Sequence, residues 1–289
     1  MSFAQLTDWL PDWLGGPGLA VAIVLPLLGA AAAVGLARLL AGKDLGARLA
    51  GAGPAAGFIL AYAVVVGSRG VPVPFADHKA LALALVGVVV GILLDTEGWA
   101  GRRQRAVVIA IGVALLGWVV AHAVLRTDPG PQRNLIVAYA AAAILVFVRT
   151  TKVGGSAGTM PVQLVVAAIG VAALAWLAEA TQVMHLAMAL AAAGLGFVAW
   201  NWPAVRFNPG PALVLGMATP LLALAGTLML DRASSPAALA VLLLVFFSEW
   251  IAAKVHIGGG AKGMRPMVMA GSGLAVVVVA VLVAVWTAG

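Results

Sequence analysis

The sequence predicts an all-α, polytopic membrane protein with ten transmembrane helices and both termini outside the cytoplasm. Two properties of the composition predict this class: 63% of the residues are hydrophobic and 9% are charged, and the mean hydropathy is +1.10. The third observation is a series of ten apolar stretches, most of them close to the length that a hydrocarbon core of roughly 30 Å requires. In chain order they cover residues 17–41, 50–67, 79–94, 106–125, 134–148, 162–179, 182–200, 211–230, 237–253 and 267–287.

The orientation follows from the basic residues, which concentrate on alternate connections. The chain has 17 lysines and arginines, and five of them fall on the outer side. Basic residues stay in the cytoplasm during insertion, so the odd-numbered connections are expected inside. The remaining twelve, all on odd-numbered connections, are Arg38, Lys43, Arg48, Arg102, Arg103, Arg105, Arg149, Lys152, Arg206, Lys254, Lys262 and Arg265.

Two regions are expected: a short amphipathic helix over residues 1–14, and a single transmembrane domain over residues 15–289. In the first region Trp9 and Trp13 share a helical face with leucines, while Asp8 and Asp12 face elsewhere. This pattern is typical of a helix that lies in the outer interface. The second region has terse outer connections and inner connections that are rich in glycine and basic residues.

Charge and cysteine content exclude several classes of function. The net charge is +7, but the cations lie at the ends of apolar stretches, where they anchor to headgroups and attract anionic lipid. No nucleic-acid partner is therefore expected. The absence of cysteine excludes disulfides, thiolate metal sites and cysteine nucleophiles.

Four inner connections, taken in order, resemble those of the polyprenyl-phosphate N-acetylhexosamine-1-phosphate transferases. Residues 196–207 are similar to that family's Gly-Phe-Leu, then Asn, then Pro-Ala, then a basic residue and Phe. Residues 91–102 look like its Gly-x-x-Asp-Asp followed by a basic residue. Weaker matches lie at residues 154–158 and 53–57. The resemblance covers most of the chain and also implies ten spans with both ends outside.

The resemblance implies a reaction in which a lipid phosphate attacks a nucleotide sugar and Mg²⁺ stabilises the leaving diphosphate. That reaction requires at least a cluster of carboxylates that holds the metal ion. The sequence departs from the family where those groups belong, keeping Asp95 but placing Leu94 before it. The other departures are Val148, Thr151 and Gly154 in place of Asn, Asn and Asp, the carboxylate-free residues 208–212, and His256 as the one histidine of its loop.

Asp95 is the candidate for a catalytic residue or metal ligand, and solvation at a helix end is the alternative reading. The candidate substrate-binding residues share an inner-side position and a cationic or amide group suited to phosphate. The alternative for the cations is that they only set the topology. Glu249 is predicted either to be functional or to pair with Lys254. The substrate-binding candidates are Arg102, Lys152, Asn201, Asn208, Lys254, His256 and Lys262.

We therefore predict a catalytically degenerate relative of these transferases in the cytoplasmic (inner) membrane. Its expected role is to bind polyprenyl phosphate or another anionic lipid, as an accessory subunit in envelope polysaccharide synthesis. No cofactor is expected, with Mg²⁺ and a nucleotide sugar as ligands if the protein is active. Two alternatives stay open: an active polyprenyl-phosphate sugar-1-phosphate transferase, and a ten-span transporter of small molecules. A homodimer or a larger envelope complex is compatible with each.

Overall fold

The computed structural model describes residues 17–67, 75–96, 101–126, 133–153, 159–230, 234–254 and 265–288, and within these ranges the chain forms helices and turns without a strand. The interfacial helix predicted for residues 1–14 lies outside them. The helices, numbered in chain order, are α1 Pro17–Leu49, α2 Gly53–Gly67, α3 Phe75–Thr96, α4 Arg102–Arg126, α5 Arg133–Val153, α6 Thr159–Leu177, α7 Thr181–Trp200, α8 Pro211–Leu230, α9 Pro236–Lys254 and α10 Arg265–Ala288.

Within the described ranges, nine helical segments are long and apolar enough to cross a membrane. The first of them, Ala22–Val64, is 43 residues long and joins α1 to α2 through the 3-10 turn Ala50–Ala52. Its continuity is broken at Gly42, where φ is +73°. The predicted end of the first span at residue 41 coincides with this break. The segment predicted as the connection, residues 42–49, is not an open loop. After Gly42 the chain resumes an α-helix, which continues to the 3-10 turn.

The arms of this long segment pack antiparallel. A Cβ at Gly57 would meet Ala30, and one at Gly53 would meet the Val34 side chain. A Cβ at Gly29 would lie 3.1 Å from Leu60. The paired positions rise on one arm as they fall on the other, so the chain reverses direction between them. Glycine at these positions allows the close backbone approach that helices in membranes use for packing.

The centre of the bundle is built by α6, α7 and α8, most of whose residues are buried. Polar side chains within the apolar helices donate to backbone carbonyls of neighbouring helices. The Trp200 indole donates to the Ala31 carbonyl at 2.9 Å, and the Tyr139 hydroxyl donates to the Leu222 carbonyl at 2.8 Å. Such bonds satisfy groups that would otherwise be costly in hydrocarbon, and they fix α7 against α1 and α5 against α8.

Two helices depart from regular α geometry. In α8 the π-helical segment Val214–Ala218 follows the first turn, and in α9 the segment Leu243–Phe247 is a 3-10 helix. Every residue of the two segments is apolar. The irregular backbone therefore brings no polar side chain to the middle of the bundle.

Candidate functional site

The site begins with one face of α3, which carries a glycine or an acid at every fourth position. Gly87, Gly91 and Asp95 lie on the same face because a helix repeats every 3.6 residues. A Cβ at Gly91 would collide with the backbone of Ala212, and one at Gly87 would lie 2.6 Å from the Leu215 carbonyl oxygen. The two glycines therefore let α3 approach the first turns of α8 at backbone distance, which brings Asp95 to the beginning of α8.

Asp95 caps α8 from a neighbouring helix. Its Oδ2 accepts the backbone N–H of Ala212 at 3.1 Å, one of the amides that the first turn of a helix leaves without an intrahelical partner. A side chain at Gly210 would strike the Asp95 carboxylate. The guanidinium of Arg48 donates to the Asp95 carbonyl oxygen at 3.3 Å. Asp95 thus ties three segments together, and its negative charge complements the positive end of the α8 dipole.

The segment between α7 and α8 is shaped by Asn201. Its Oδ1 accepts the backbone N–H groups of both Arg206 and Phe207 at 2.8 Å. The Phe207 ring is buried and packs edge-on to Trp200, with 6.3 Å between the ring centroids. The motif in residues 196–207 thus has a structural role. Its asparagine and its phenylalanine shape the connection that places Gly210 next to Asp95.

A pocket of about 240 Å³ opens beside Asp95, between the predicted inner ends of α3, α4 and α5 and the beginning of α8. Its volume is below the roughly 300–1,000 Å³ of most sites for drug-sized ligands, so it suits a headgroup better than a whole nucleotide sugar. The residues that line it are Asp95, Gly101, Gln104, Arg105, Val108, Thr150, Thr151, Pro209, Gly210, Pro211 and Val214.

The charged groups of this pocket are one carboxylate and one guanidinium. Thr150 and Thr151 donate their hydroxyl hydrogens to carbonyls of their own helix, so Arg105 and Gln104 are the side chains best placed to donate to a ligand. Arg105 is exposed, and its forked guanidinium suits a phosphate. Within the described residues no three acidic or histidine side chains group as a metal site would require. Asp95 is the one carboxylate in the described lining, and its Oδ2 already accepts the N–H of Ala212.

The structure places the predicted site residues unequally around this pocket. Asp95 lines it. Three further candidates are exposed, and each directly follows or precedes a lining residue in the chain: Arg102, Lys152 and Asn208. Arg105 contributes to the lining itself, although nothing in the sequence distinguishes it from Arg102 as a phosphate-binding residue.

The other candidates lie elsewhere or cannot be placed. Asn201 is buried in the connection before α8, where its carboxamide oxygen bonds the backbone. Lys254 is exposed at the last residue of α9. His256 and Lys262 lie outside the described residues.

Glu249 has a different partner from the predicted Lys254. Its carboxylate forms an ion pair with Arg149, and the two side chains are only 12% and 18% exposed. The guanidinium carbon of Arg149 lies 4.6 Å from the ring centre of Phe247 and 5.1 Å from that of Trp250. From the sequence, Arg149 was expected only to help set the membrane orientation. The pair joins α5 to α9. No local sequence pattern could reveal it, because the two residues are far apart in the chain.

An apolar groove of about 140 Å³ lies beyond the pocket, among α5, α6, α8 and α9. Its lining includes Leu135 near the beginning of α5 and Val146 toward the end of that helix. The Thr150 hydroxyl, in the polar pocket, donates to the Val146 carbonyl at 2.8 Å. The polar pocket and the apolar groove are therefore neighbours along one face of α5.

No protein-family model matches the chain, and neither the curated proteins nor the solved structures contain a significant match to it. The resemblance to the phosphosugar transferases therefore stays a prediction that is based on the motifs alone.

Proposed function

We propose that this protein binds a phosphate-bearing lipid from the cytoplasmic membrane, with the headgroup in the Asp95–Arg105 pocket and the first part of the tail in the neighbouring groove. The lipid is polyprenyl phosphate or another anionic lipid, and the protein acts as an accessory subunit and not as a transferase. This function would use the cationic edge of the pocket and would require no metal.

The observation that carries the proposal is the adjacency of the pocket and the groove along α5. Thr150 lines the pocket, and Val146, one helical turn away, lines the groove. An anionic lipid needs both environments, since its phosphate requires charge-assisted donors and its chain requires an apolar surface. Rows of cations near a membrane boundary attract such lipids, at about 1 kcal/mol per basic residue.

The number and the bonding of the carboxylates in the pocket support the proposal that the protein does not catalyse transfer. Phosphoryl transfer depends on charge stabilisation by a metal or by several cations. Asp95 is the one carboxylate in the described lining, and it caps α8. We expect purified protein with Mg²⁺, UDP-N-acetylhexosamine and undecaprenyl phosphate to show no transfer. Transfer that is lost in Asp95→Asn would instead establish the active-enzyme alternative.

Lipid binding is tested by titrating purified protein with polyprenyl phosphate and comparing wild type with Arg105→Ala. A charge-assisted contact contributes on the order of 1.5–3 kcal/mol, so the affinity of this variant should fall about tenfold or more. Arg102→Ala and Lys152→Ala should show smaller losses, because both residues stand beside the lining. Arg133→Ala, an exposed cation at the opposite end of α5, serves as the matched control. Equal affinity of Arg105→Ala and Arg133→Ala would show that the pocket does not bind the phosphate.

The proposed topology is ten crossings in the cytoplasmic membrane, with both termini outside. It is supported by the antiparallel packing of α1 on α2, which divides the longest apolar segment into two arms. The transporter alternative has less support, because the irregular segments of α8 and α9 contain only apolar residues. A coupling-ion site within these segments would have to be built from backbone carbonyls alone.

A further inference from the structure

We propose a second lipid site: a groove among α1, α6, α7 and α10 that holds one acyl chain of a phospholipid from the cytoplasmic leaflet. The groove encloses about 650 Å³. It is separate from the Asp95 pocket and does not require lipid binding there, and only its assignment to the cytoplasmic leaflet rests on the proposed topology.

The lining excludes a polar ligand. Val162, Val165 and Val166 of α6 form the floor, and side chains of α7 and α10, such as Leu195 and Met267, form the walls. All lining side chains are apolar, apart from the indole N–H of Trp202. An occupant therefore gains affinity from buried hydrocarbon and not from hydrogen bonds.

The length of the groove distinguishes an acyl chain from a partner helix. Its lining runs from Val162 to Ile169 on α6 and from Pro266 to Leu274 on α10, which is about 10–12 Å at 1.5 Å per residue. One leaflet of hydrocarbon is roughly 15 Å thick, half of the full core. A transmembrane helix of a partner would need a surface that extends across the whole core, whereas the groove ends within one leaflet.

Close packing closes the groove toward the middle of the membrane. A Cβ at Gly273 would lie 3.0 Å from Val166, and one at Gly170 would lie 3.1 Å from Val277. At these two glycines α6 and α10 are in direct contact, whereas Met267 is 55% exposed in the part that lies toward Pro266. The opening is therefore at the end of α10 that begins with Arg265.

The opening carries the groups that accept a phospholipid headgroup. Trp202, which lines the opening, is of the residue type that lies at headgroup depth. Arg265, directly before the lining residue Pro266, and Arg206, in the same connection as Trp202, are both exposed. The two cations complement an anionic headgroup, so the expected occupant is a phospholipid such as phosphatidylglycerol and not a neutral one.

The test uses the absence of cysteine from the chain, which allows a single fluorophore to be placed by Ala270→Cys inside the groove. Val278→Cys, on the same helix and 58% exposed, is the control for bulk lipid. In vesicles that contain phosphatidylglycerol with brominated chains, the probe at position 270 should be quenched at lower brominated fractions than the probe at position 278. The preference over brominated phosphatidylcholine should fall about fivefold with Arg265→Ala.

A bulky variant gives a second measurement. Ala270→Trp should remove one phospholipid from the protein isolated in mild detergent, as counted by native mass spectrometry, whereas Val278→Trp should retain it. Identical quenching at positions 270 and 278, or identical lipid counts in the tryptophan variants, would overturn the proposal. Disulfide formation between two copies of Ala270→Cys would also overturn it, because a second copy would then cover the groove. Arg105 is unchanged in all these proteins, so a failure here leaves the headgroup pocket untouched.

Discussion

At the scale of single residues, Asp95 has a structural task that accounts for its position. The carboxylate accepts the N–H of Ala212, a buried residue whose amide would otherwise lack a partner at the beginning of α8. The resemblance to transferases had assigned Asp95 to catalysis or metal binding. The cap is compatible with a ligand nearby, and it predicts a loss of stability that a purely catalytic residue would not show.

Asp95→Ala should lower the free energy of unfolding by about 1–2 kcal/mol, because the Ala212 amide then loses its acceptor. Asp95→Asn keeps a carbonyl oxygen and should lose less. The measurement is thermal unfolding in detergent, with Asp44→Ala, an exposed acid on the same side, as the control. If Asp95→Ala unfolds at the same temperature as Asp44→Ala, the cap contributes nothing.

The Arg149–Glu249 ion pair makes a second prediction at this scale. Because both side chains are largely buried, Arg149→Ala leaves an uncompensated carboxylate and should cost about 3–5 kcal/mol. In the double variant Arg149→Ala/Glu249→Ala that charge is absent as well. We expect the double variant to be more stable than Arg149→Ala, with a coupling energy of about 0.5–3 kcal/mol in a double-mutant cycle. Additive single effects would show that the pair is not coupled.

At the scale of elements, glycines decide which helices touch. Gly91 lets α3 meet α8 at backbone distance, and Gly57 and Gly196 do the same for α1 against α2 and α7. In a bilayer, apolar side chains gain little from helix contact, so close backbone packing carries much of the association. The position of the pocket is a consequence of one such contact.

Gly91→Ala should destabilise the protein by about 1–3 kcal/mol, because the new methyl group meets the Ala212 backbone and not a side chain that could move. Gly117→Ala is the matched control, since a Cβ there meets nothing within 4 Å. In the control, alanine should be neutral or stabilising by up to about 1 kcal/mol through its helix propensity. Thermal unfolding of both variants would reveal equal stability if the α3–α8 contact were loose.

At the scale of the whole molecule, the distribution of cations and the α1–α2 hairpin together set the proposed topology. Lys43 and Asn208 belong to connections that we expect inside, and Glu179 belongs to the outer turn between α6 and α7. All three side chains are exposed. They therefore report on both the orientation and the number of crossings.

Single cysteines at these three positions should label in two classes. In intact cells an impermeant maleimide should reach Glu179→Cys, whereas Lys43→Cys and Asn208→Cys should react only after the membrane is opened. The cysteine-free wild type is the control. Labelling of Lys43→Cys alone from outside would mean that α1 and α2 do not form two crossings, and the count of ten would be wrong. Labelling of both Lys43→Cys and Asn208→Cys from outside, with Glu179→Cys protected, would contradict the orientation.

The sequence by itself determined the helical class and the approximate extent of the apolar segments, because hydropathy and length act locally along the chain. The break at Gly42 and the tight turn before Thr181 also fall at the ends of the predicted apolar stretches. What the sequence left open was how side chains distant in the chain meet. It left Glu249 either as functional or as a partner of Lys254, and it treated Asp95 either as catalytic or as solvated.

Only the tertiary structure decided those contacts. Asp95 meets Ala212 because Gly87 and Gly91 bring α3 against α8. Glu249 meets Arg149 because α5 lies beside α9. The groove under Ala270 lies between the exposed Met267 and the close contact of α10 with α6 at Gly273. The physical reason is common to all three: an apolar helix in a membrane gives little sequence signal for its neighbour, so the choice depends on close packing between surfaces that are far apart in the chain.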